Sequence, residues 1–251
     1  MVYFVYVAGV LDILFIKVKK LLYGLIVINI MTIKENFYLG IWRNSMKNRP
    51  KHVGIIPDGN RRWACEKGLN KQDGYAYGLM PGLCLLKKAK EMGVEEITYY
   101  GFTVDNCKRP AEQFKAFKKA CVDAVELLTR EGAELLVIGN SESKSFPKEL
   151  LPYIKRTSVN GGGIKVNFLV NYGWKWDISH IQVDGKPYSS DISRIDLLIR
   201  WGGMRRLSGF LPIQSVYSDF YVVDHYWPEY KDEDFEGALE WYSKQDVTLG
   251  G

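Results

Sequence analysis

A short polar segment at residues 57–63 contains the residue types that bind phosphate groups. It follows a run of β-branched residues directly and contains Asp58, Gly59 and Arg62. In open α/β sheets, ligands bind just beyond the carboxyl ends of the strands. Backbone amides at a glycine turn can hold phosphate oxygens, Arg62 can add paired hydrogen bonds, and Asp58 can hold Mg²⁺ on a diphosphate. Alone, this segment indicates only a turn, so its interpretation depends on the rest of the chain.

Two further predicted strands also end in polar and basic residues. Residues 101–110 follow one of them, and residues 200–210 follow another. Arginines next to Ser208 and a pair of glycines suit a diphosphate, because guanidinium groups match phosphate geometry and small residues let the backbone approach. The alternative for Arg205 and Arg206 is a solvated surface. If the strands are parallel, all three segments meet at one edge of a sheet and form an anion site.

Six short predicted strands alternate with helical segments and must position these residues. Alternation of this kind is typical of a mainly parallel sheet. We therefore predict a single α/β domain, with a six-stranded, mostly parallel sheet surrounded by helices. The predicted strands span residues 52–56, 96–102, 135–139, 165–170, 196–201 and 220–223.

Two predicted helices stand out between these strands. The first, at residues 75–92, contains Pro81 and Gly82, which should kink or restart it. The second, at residues 111–132, follows Pro110 and ends at a glycine. Its apolar stripe predicts either a core face or one wall of a hydrophobic ligand tunnel, and periodicity does not separate the two. The stripe consists of Phe114, Phe117, Cys121, Val125 and Leu128.

The first 46 residues differ from the rest of the chain. Residues 2–15 and 21–31 are mostly apolar, but neither run reaches the length of a membrane-spanning helix, and Asp12 interrupts the first. The segment does not resemble a secretory signal. A helix lying on a membrane surface remains an alternative to a poorly packed extension, or to sequence upstream of a start at Met31 or Met46.

Composition excludes several other classes of protein. The chain has 251 residues, a net charge of +5 and no low-complexity tract, as expected of one globular domain. The charge favours anionic ligands weakly, and no nucleic-acid recognition motif is present. The four cysteines lack a CxxC spacing and the three histidines are far apart, so neither a disulfide framework nor a zinc site is predicted. Reduced thiols indicate a cytoplasmic protein, with the apolar extension as a candidate peripheral membrane contact.

Several ordered segments between His52 and Gly251 resemble the successive motifs of cis-prenyltransferases, the family of undecaprenyl diphosphate synthase. The segments are HVGIIPDGNRRWA, GFTVDNCKRP, NFLVNYGWKWDI, DLLIRWGGMRRLSGF, YSDFYVVDHYWPEY and DFEGALEWYSKQDVTLGG. The resemblance implies that residues 47–251 are a catalytic domain that ionises an allylic prenyl diphosphate and forms a new carbon–carbon bond. The second substrate would be isopentenyl diphosphate or another prenyl diphosphate. The resemblance also implies Mg²⁺ as the cofactor and a homodimer as the assembly.

The resemblance further implies a role for each matching residue. Asp58, Asn106 and Arg109 would be catalytic, and Asp58 and Asp219 would bind the metal ion. Residues that bind the diphosphates and prenyl groups would be Gly59, Asn60, Arg61, Arg62, Trp63, Lys71, Tyr75, Phe102, Thr103, Arg200, Arg206 and Ser208.

Several positions depart from the family pattern. Tyr75 replaces a histidine, Cys107 a tryptophan, Met204 a glutamate and Trp201 a small residue, while Lys71 stands in for an arginine. Because orientation of the second substrate decides which carbon attacks, we hypothesise an irregular, non-head-to-tail or cyclising enzyme. The alternatives are a regular short- or medium-chain synthase, a terpene synthase acting on one prenyl diphosphate, and a non-catalytic partner subunit. The sequence does not determine product length.

Overall fold

The computed structural model describes residues 17, 19–21 and 48–246. The chain divides into two compact units, residues 1–47 and 48–251. Apart from residues 17 and 19–21, the predicted membrane-surface extension lies outside the described residues, as do the alternative start sites and the terminal glycine pair. No helix within the described part of the chain is both long and apolar enough to span a bilayer.

The second unit is built on one seven-stranded sheet, which confirms the predicted mostly parallel α/β fold. Every neighbouring pair is parallel except β3 and β4, which are antiparallel. The order across the sheet is β4-β3-β5-β2-β1-β6-β7. The strands are β1 His52–Ile56, β2 Glu96–Thr103, β3 Ala133–Ile138, β4 Thr157–Val159, β5 Lys165–Tyr172, β6 Leu197–Arg200 and β7 Asp219–Val222.

The sequence predicts six strands, and the seventh, β4, is the strand it misses. β4 has three residues and lies at an edge of the sheet. A run this short carries too few positions for the alternation of apolar and polar residues to be recognised.

Helices cover the sheet, and three short 3₁₀ helices lie in its connections. The 3₁₀ helices are Val104–Lys108, Lys148–Tyr153 and Trp227–Glu229. The α-helices are α1 Asn60–Glu66, α2 Gly74–Tyr77, α3 Leu79–Met92, α4 Ala111–Arg130, α5 Trp174–Ser179, α6 Ile181–Asp184 and α7 Asp232–Ser243.

The predicted helix at residues 75–92 is interrupted, but at Gly78 rather than at Pro81 and Gly82. Pro81 lies in the first turn of α3, where a missing backbone N–H costs no helical hydrogen bond. Gly78 separates α2 from α3, and a Cβ there would lie 2.5 Å from Asn60 Oδ1 and 2.9 Å from the Trp227 ring. Close packing therefore requires a glycine at the break.

Helix α4 begins directly after Pro110, as predicted, and packs against α3, β2 and β3. Cys121, Val125 and Leu128 of its apolar stripe are buried, whereas Phe114 and Phe117 are half-buried. The stripe is therefore a core face along most of its length. Only its first two aromatic residues have side chains that reach partly exposed space.

A buried polar network joins β1, β2 and β5 near the amino ends of these strands. His52 Nε2 lies 2.8 Å from Thr98 Oγ1, and His52 Nδ1 lies 3.1 Å from the Ser193 carbonyl oxygen. Glu96 accepts hydrogen bonds of 2.7 Å from both Asn167 Nδ2 and Ser193 Oγ. Because Nδ1 faces a carbonyl, it carries the proton, and Nε2 accepts from the Thr98 hydroxyl. The network is thus satisfied with His52 neutral.

This network predicts a loss of stability in mild acid. Burial lowers the pKa of His52 below 6.5, although the nearby Glu96 and Asp196 carboxylates oppose the shift. Between the folded and unfolded pKa values the unfolded chain binds more protons, so the free energy of unfolding falls as the pH drops below about 6.5. Urea unfolding across pH should show this slope, and His52→Gln should reduce it. The matched change His180→Gln should leave the slope intact, and a wild-type unfolding free energy independent of pH would contradict the prediction.

Candidate active site

A cleft of about 810 Å³ lies beyond the carboxyl ends of β1, β2 and β6. The three polar segments found in the sequence converge there, because parallel strands place their carboxyl ends at one edge of the sheet. The predicted site residues that line the cleft are Asp58, Gly59, Asn60, Arg61, Arg62, Lys71, Tyr75, Thr103, Asn106, Arg109, Arg200, Arg206 and Ser208.

Asp58 lies two residues beyond β1, and backbone and side-chain donors hold its carboxylate. Asp58 Oδ1 accepts a hydrogen bond of 2.6 Å from the Gly59 backbone N–H. Asp58 Oδ2 accepts one of 2.8 Å from Arg200 Nη2 and lies 3.4 Å from Arg62 Nη2. The carboxylate is therefore oriented between two guanidinium groups drawn from different strand ends.

The turn at Gly59 requires a glycine for two reasons. Its φ of +106° lies in the region that side-chain-bearing residues rarely adopt, and a Cβ there would lie 2.5 Å from the Tyr226 ring. Asn60 closes the turn by donating from Nδ2 to the Pro57 carbonyl at 3.0 Å. The segment after β1 is thus fixed by backbone conformation before any ligand binds.

Arg200 organises the loop that follows β6. Its buried guanidinium donates to the Arg206 carbonyl oxygen, to Ser208 Oγ at 2.9 Å and to Asp58. Ser208 has a φ of +52°, and its carbonyl oxygen accepts a hydrogen bond of 2.9 Å from Tyr100 Oη. These contacts hold the 200–208 loop at the cleft, so that Arg206 and Ser208 line it together with Asp58.

Arg62 joins the segment that follows β1 to the segment that follows β6. Its Nη1 donates to the Gly202 carbonyl at 3.0 Å, and its guanidinium carbon lies 5.0 Å from the centre of the Tyr226 ring. Tyr226 lines the cleft but was not among the predicted site residues. It stands beyond the end of β7, and its place after a fourth strand end was the signal that could have identified it.

Asn106 has a local structural role in the segment beyond β2. Its Oδ1 accepts from the Thr103 backbone N–H at 3.0 Å, and its own N–H donates to Thr103 Oγ1 at 3.3 Å. The Asn106 carbonyl then accepts from the Arg109 N–H at 3.2 Å. This turn places Arg109 at the cleft. Cys107 lies beside it and donates from Sγ to Asn171 Oδ1 at 3.4 Å.

Arg109 contacts two aromatic rings. Its Nη1 donates to Tyr75 Oη at 2.8 Å, and its guanidinium carbon lies 5.0 Å from the centre of the Phe117 ring. Tyr75 and Phe117 stack with their ring centres 4.5 Å apart. Burial raises the pKa of Tyr75, and Arg109 and Arg61 oppose the shift, so the phenol keeps its proton at neutral pH.

Three predicted site residues do not line the cleft. Trp63 packs against Tyr77, with ring centres 4.6 Å apart, and Phe102 is fully buried in the core. Asp219 is the first residue of β7 and pairs with Leu197, the first residue of β6. It therefore lies at the amino ends of these parallel strands, whereas Asp58 lies beyond the carboxyl end of β1. Within one chain the structure does not bring Asp219 to Asp58, and the metal-binding role expected of Asp219 stays a prediction.

Trp201 also lies outside the cleft, contrary to the hypothesis that its bulk reshapes the second substrate site. It is fully buried and packs edge-on against Trp227, with ring centres 4.9 Å apart. Met204, by contrast, lines the cleft as the hypothesis requires. Side chains of adjacent residues in an extended segment point to opposite faces, which separates Arg200 in the cleft from Trp201 in the core.

The cleft carries more positive than negative charge. Its cationic side chains are Arg61, Arg62, Lys71, Arg109, Arg200 and Arg206, and its carboxylates are Asp58, Glu66 and Asp105. Six cations against three carboxylates favour highly charged anions such as diphosphates.

Asp58 fits the role of a single carboxylate ligand for diphosphate-bound Mg²⁺. Within the described part of the chain, no three or more His, Cys, Asp or Glu side chains form a group that could hold a metal ion. Mg²⁺ commonly takes one or two carboxylates and completes its shell with substrate phosphates and water. The donor set therefore suits a metal ion that arrives with the diphosphate, rather than one held by protein ligands alone.

Comparison with known proteins agrees with this geometry. Residues 56–250 match the model of the Prenyltransf family, described as undecaprenyl diphosphate synthase. The ditrans,polycis-undecaprenyl-diphosphate synthase ((2E,6E)-farnesyl-diphosphate specific) of Yersinia pseudotuberculosis is 31% identical over 234 residues, covering 83% of this chain and 93% of that protein. The synthase of the same name from Escherichia coli K12 is 30% identical over 227 residues, covering 80% and 90%.

A solved structure shares the fold at lower identity. Lavandulyl diphosphate synthase from Lavandula x intermedia, in complex with dimethylallyl diphosphate, superposes with a TM-score of 0.70 and 22% identity, covering 81% of this chain and 99% of that one. The family match defines a prenyltransferase, and its catalytic domain is built on a mostly parallel sheet. The chain belongs to the undecaprenyl diphosphate synthase family of cis-prenyltransferases.

Proposed function

We propose that this protein is a Mg²⁺-dependent prenyltransferase that ionises an allylic prenyl diphosphate and joins two prenyl units in an irregular, non-head-to-tail way. The observation that carries the transferase part is a single cleft lined by Asp58 and six cationic side chains, two of which, Arg62 and Arg200, pair with Asp58. The observation that favours irregular coupling is Met204, an uncharged residue that lines the same cleft where the family pattern has a glutamate.

The reaction follows from the charges around Asp58. When the allylic carbon–oxygen bond breaks, its electron pair goes to the bridging oxygen, and negative charge grows on the departing diphosphate. Arg62 and Arg200 lie in place to stabilise that charge, which is the main way such a site lowers a barrier. Mg²⁺, when bound with the diphosphate, would add further neutralisation as a Lewis acid.

The carbon–carbon bond then forms between the allylic cation and the double bond of the second prenyl diphosphate. The new cation loses a proton, and either a diphosphate oxygen or the Asp58 carboxylate can accept it. Arg206 and Ser208 lie beside Arg200, as a site for the second diphosphate requires. Substrate orientation at this second position decides which carbon attacks.

The absence of a carboxylate at Met204 supports irregular coupling on physical grounds. A glutamate there would add a negative charge to the part of the cleft near Arg200 and Arg206, and methionine contributes only a flexible apolar side chain. A second substrate held without that charge can lie differently. The fold is compatible with such chemistry, because a protein that shares it is a lavandulyl diphosphate synthase.

Two alternatives remain as outcomes of the test. Regular elongation with isopentenyl diphosphate is favoured by the identity to relatives named undecaprenyl-diphosphate synthase. Conversion of one prenyl diphosphate into a terpene would need the same ionisation with no second diphosphate. A non-catalytic subunit is disfavoured because the chain retains Asp58 and the arginines that line the cleft, which such a subunit does not need.

The decisive experiment is product analysis of the purified chain by mass spectrometry and NMR. Dimethylallyl, geranyl, farnesyl and geranylgeranyl diphosphates would each be incubated with Mg²⁺, alone and together with isopentenyl diphosphate. We expect a branched or otherwise irregular prenyl diphosphate. Products that grow only by regular five-carbon units would refute irregular coupling, and diphosphate-free hydrocarbons would indicate a terpene synthase.

Assembly and membrane contact complete the proposal. The family resemblance implies a homodimer, and exposed apolar side chains at Val216 and Tyr217 offer surface for one. Light scattering of the full chain should give twice its mass of 28.8 kDa, and the monomer mass would refute the dimer.

For the apolar residues 1–46, liposome binding that is unchanged after deletion of residues 1–45 would remove the proposed membrane contact.

A further inference from the structure

Three side chains from separate segments contact one another in the lining of the cleft. Tyr75 comes from α2, Phe117 from α4, and Arg109 from the connection between β2 and α4. The two rings are nearly parallel, at 16°, with centres 4.5 Å apart, and Arg109 donates to the Tyr75 hydroxyl at 2.8 Å. We refer to these three residues as the Tyr75–Arg109–Phe117 cluster. All three line the cleft, so a bound ligand meets them directly.

The space behind the cluster is filled. Phe102 is fully buried with its ring centre 5.8 Å from that of Phe117, and Cys121 and Val125 are buried on the same face of α4. No residue of α3 lines the cleft, and Phe117 is the only residue of α4 that does. A prenyl chain that extends from the cleft towards α4 therefore meets Phe117 first, with buried side chains behind it.

The cluster resists displacement in two ways. Displacing Tyr75 breaks its stack with Phe117 and also its hydrogen bond to a charged donor, which is stronger than a neutral one. The guanidinium of Arg109 is itself half-buried, and burial lowers its pKa. An alkyl chain laid against it would remove remaining water from a charged group without replacing the hydrogen bonds, which is unfavourable.

We propose that the Tyr75–Arg109–Phe117 cluster limits the allylic substrate to a five-carbon prenyl group of the dimethylallyl class. This inference rests on the proposed function and adds its substrate class. The relatives reported above are named as farnesyl-diphosphate specific, so the proposal sets this chain apart from them. Tyr75 stands where the family pattern has a histidine, and the aromatic stack it forms with Phe117 is the structural basis of the difference.

The test uses substrate analogues that bind but do not ionise. Dimethylallyl and farnesyl S-thiolodiphosphates would be titrated into the full chain with Mg²⁺, and their dissociation constants compared by calorimetry. In the wild type, the ten additional carbons of the farnesyl analogue should bring no gain in affinity. In Phe117→Ala and Tyr75→Ala, the farnesyl analogue should bind at least about tenfold tighter than in the wild type, because burial of apolar carbon is favourable once space is open.

Phe114→Ala is the matched control. Phe114 lies on the same helix and also packs against Phe102, with ring centres 5.9 Å apart, but it does not line the cleft. This variant should bind both analogues as the wild type does. If either alanine variant fails to fold, Phe117→Leu provides a smaller opening on the same residue and should shift the preference in the same direction.

Tighter wild-type binding of the farnesyl analogue than of the dimethylallyl analogue, by about tenfold or more, would overturn the proposal. Unchanged preference in the folded Phe117 and Tyr75 variants would do the same. These results are separate from the proposed function, since the analogues report binding without turnover. A chain that couples farnesyl diphosphate irregularly would keep the function and refute the size limit.

Discussion

Asp58→Asn is expected to lower kcat by on the order of 10³-fold while the protein remains folded. The change keeps the size of the side chain and removes the charge that would bind Mg²⁺ on the diphosphate. It also removes one of the two hydrogen bonds that Asp58 accepts from Gly59 and Arg200, because the amide keeps one acceptor oxygen and its nitrogen cannot accept. Steady-state release of diphosphate from an allylic substrate, over a range of Mg²⁺ concentrations, measures the effect.

Asp105→Asn is the matched control for this prediction. Asp105 also lines the cleft, but its carboxylate is exposed and pairs with Lys108 at 2.7 Å rather than with an arginine. Its loss should change kcat by less than about threefold, as expected for a solvated pair. If Asp58→Asn kept a tenth or more of wild-type turnover, Asp58 would not be the carboxylate on which ionisation depends.

Arg200→Lys is expected to lower kcat/KM by on the order of 10²-fold despite conservation of charge. The Arg200 guanidinium reaches Asp58, Ser208 Oγ and the Arg206 carbonyl at once, and a single ammonium nitrogen cannot span those positions. The 200–208 loop should therefore lose its fixed arrangement around the diphosphate. Initial rates with either prenyl substrate varied separately would show which KM rises.

Arg205→Lys provides the comparison, because Arg205 is the neighbouring arginine and its side chain is 73% exposed. Its guanidinium lies 3.9 Å from the exposed Asp224 carboxylate and outside the cleft lining. This variant should retain wild-type kinetics within about twofold, as is usual for exposed surface pairs. Wild-type kcat/KM in Arg200→Lys would show that Arg200 acts through its charge alone rather than through its contacts.

The sheet and the position of the cleft could be predicted because both follow from short-range patterns. Buried strands of a parallel sheet form continuous apolar runs, and the polar segments after three of those runs had to meet at one edge. Asp58, Arg62, Arg200 and Ser208 accordingly lie together. The three-residue strand β4 contains too little sequence for any pattern, and it is an antiparallel edge strand that does not affect the site.

Some predicted site residues lie outside the cleft because the sequence does not give the directions of their side chains. Phe102 and Thr103 are adjacent, as are Arg200 and Trp201, yet one member of each pair lines the cleft and the other is buried in the core. Motif membership alone does not give the face on which a residue lies. Asp219 lies in a segment that matches the family, but it is the first residue of β7 rather than the last. The amino ends of parallel strands lie on the opposite side of the sheet from the cleft, which is beyond the carboxyl ends.

The Tyr75–Arg109–Phe117 cluster could not have been predicted from local sequence at all. Its members come from three separate segments, and their contacts depend on how α2 and α4 pack over β2. Each residue was visible in the sequence as a motif position or as part of an apolar stripe. Only the tertiary structure shows that they share one hydrogen bond and one ring stack.

The most direct test of the central claim is to follow the bridging oxygen of the substrate. Dimethylallyl diphosphate labelled with ¹⁸O between carbon and phosphorus would be incubated with the chain and Mg²⁺, and the products analysed by mass spectrometry. Cleavage of the carbon–oxygen bond leaves the label in the released diphosphate, which is the result we predict. Label recovered in a prenyl alcohol would mean that a phosphorus–oxygen bond breaks instead, and the protein would then be a phosphohydrolase rather than a prenyltransferase.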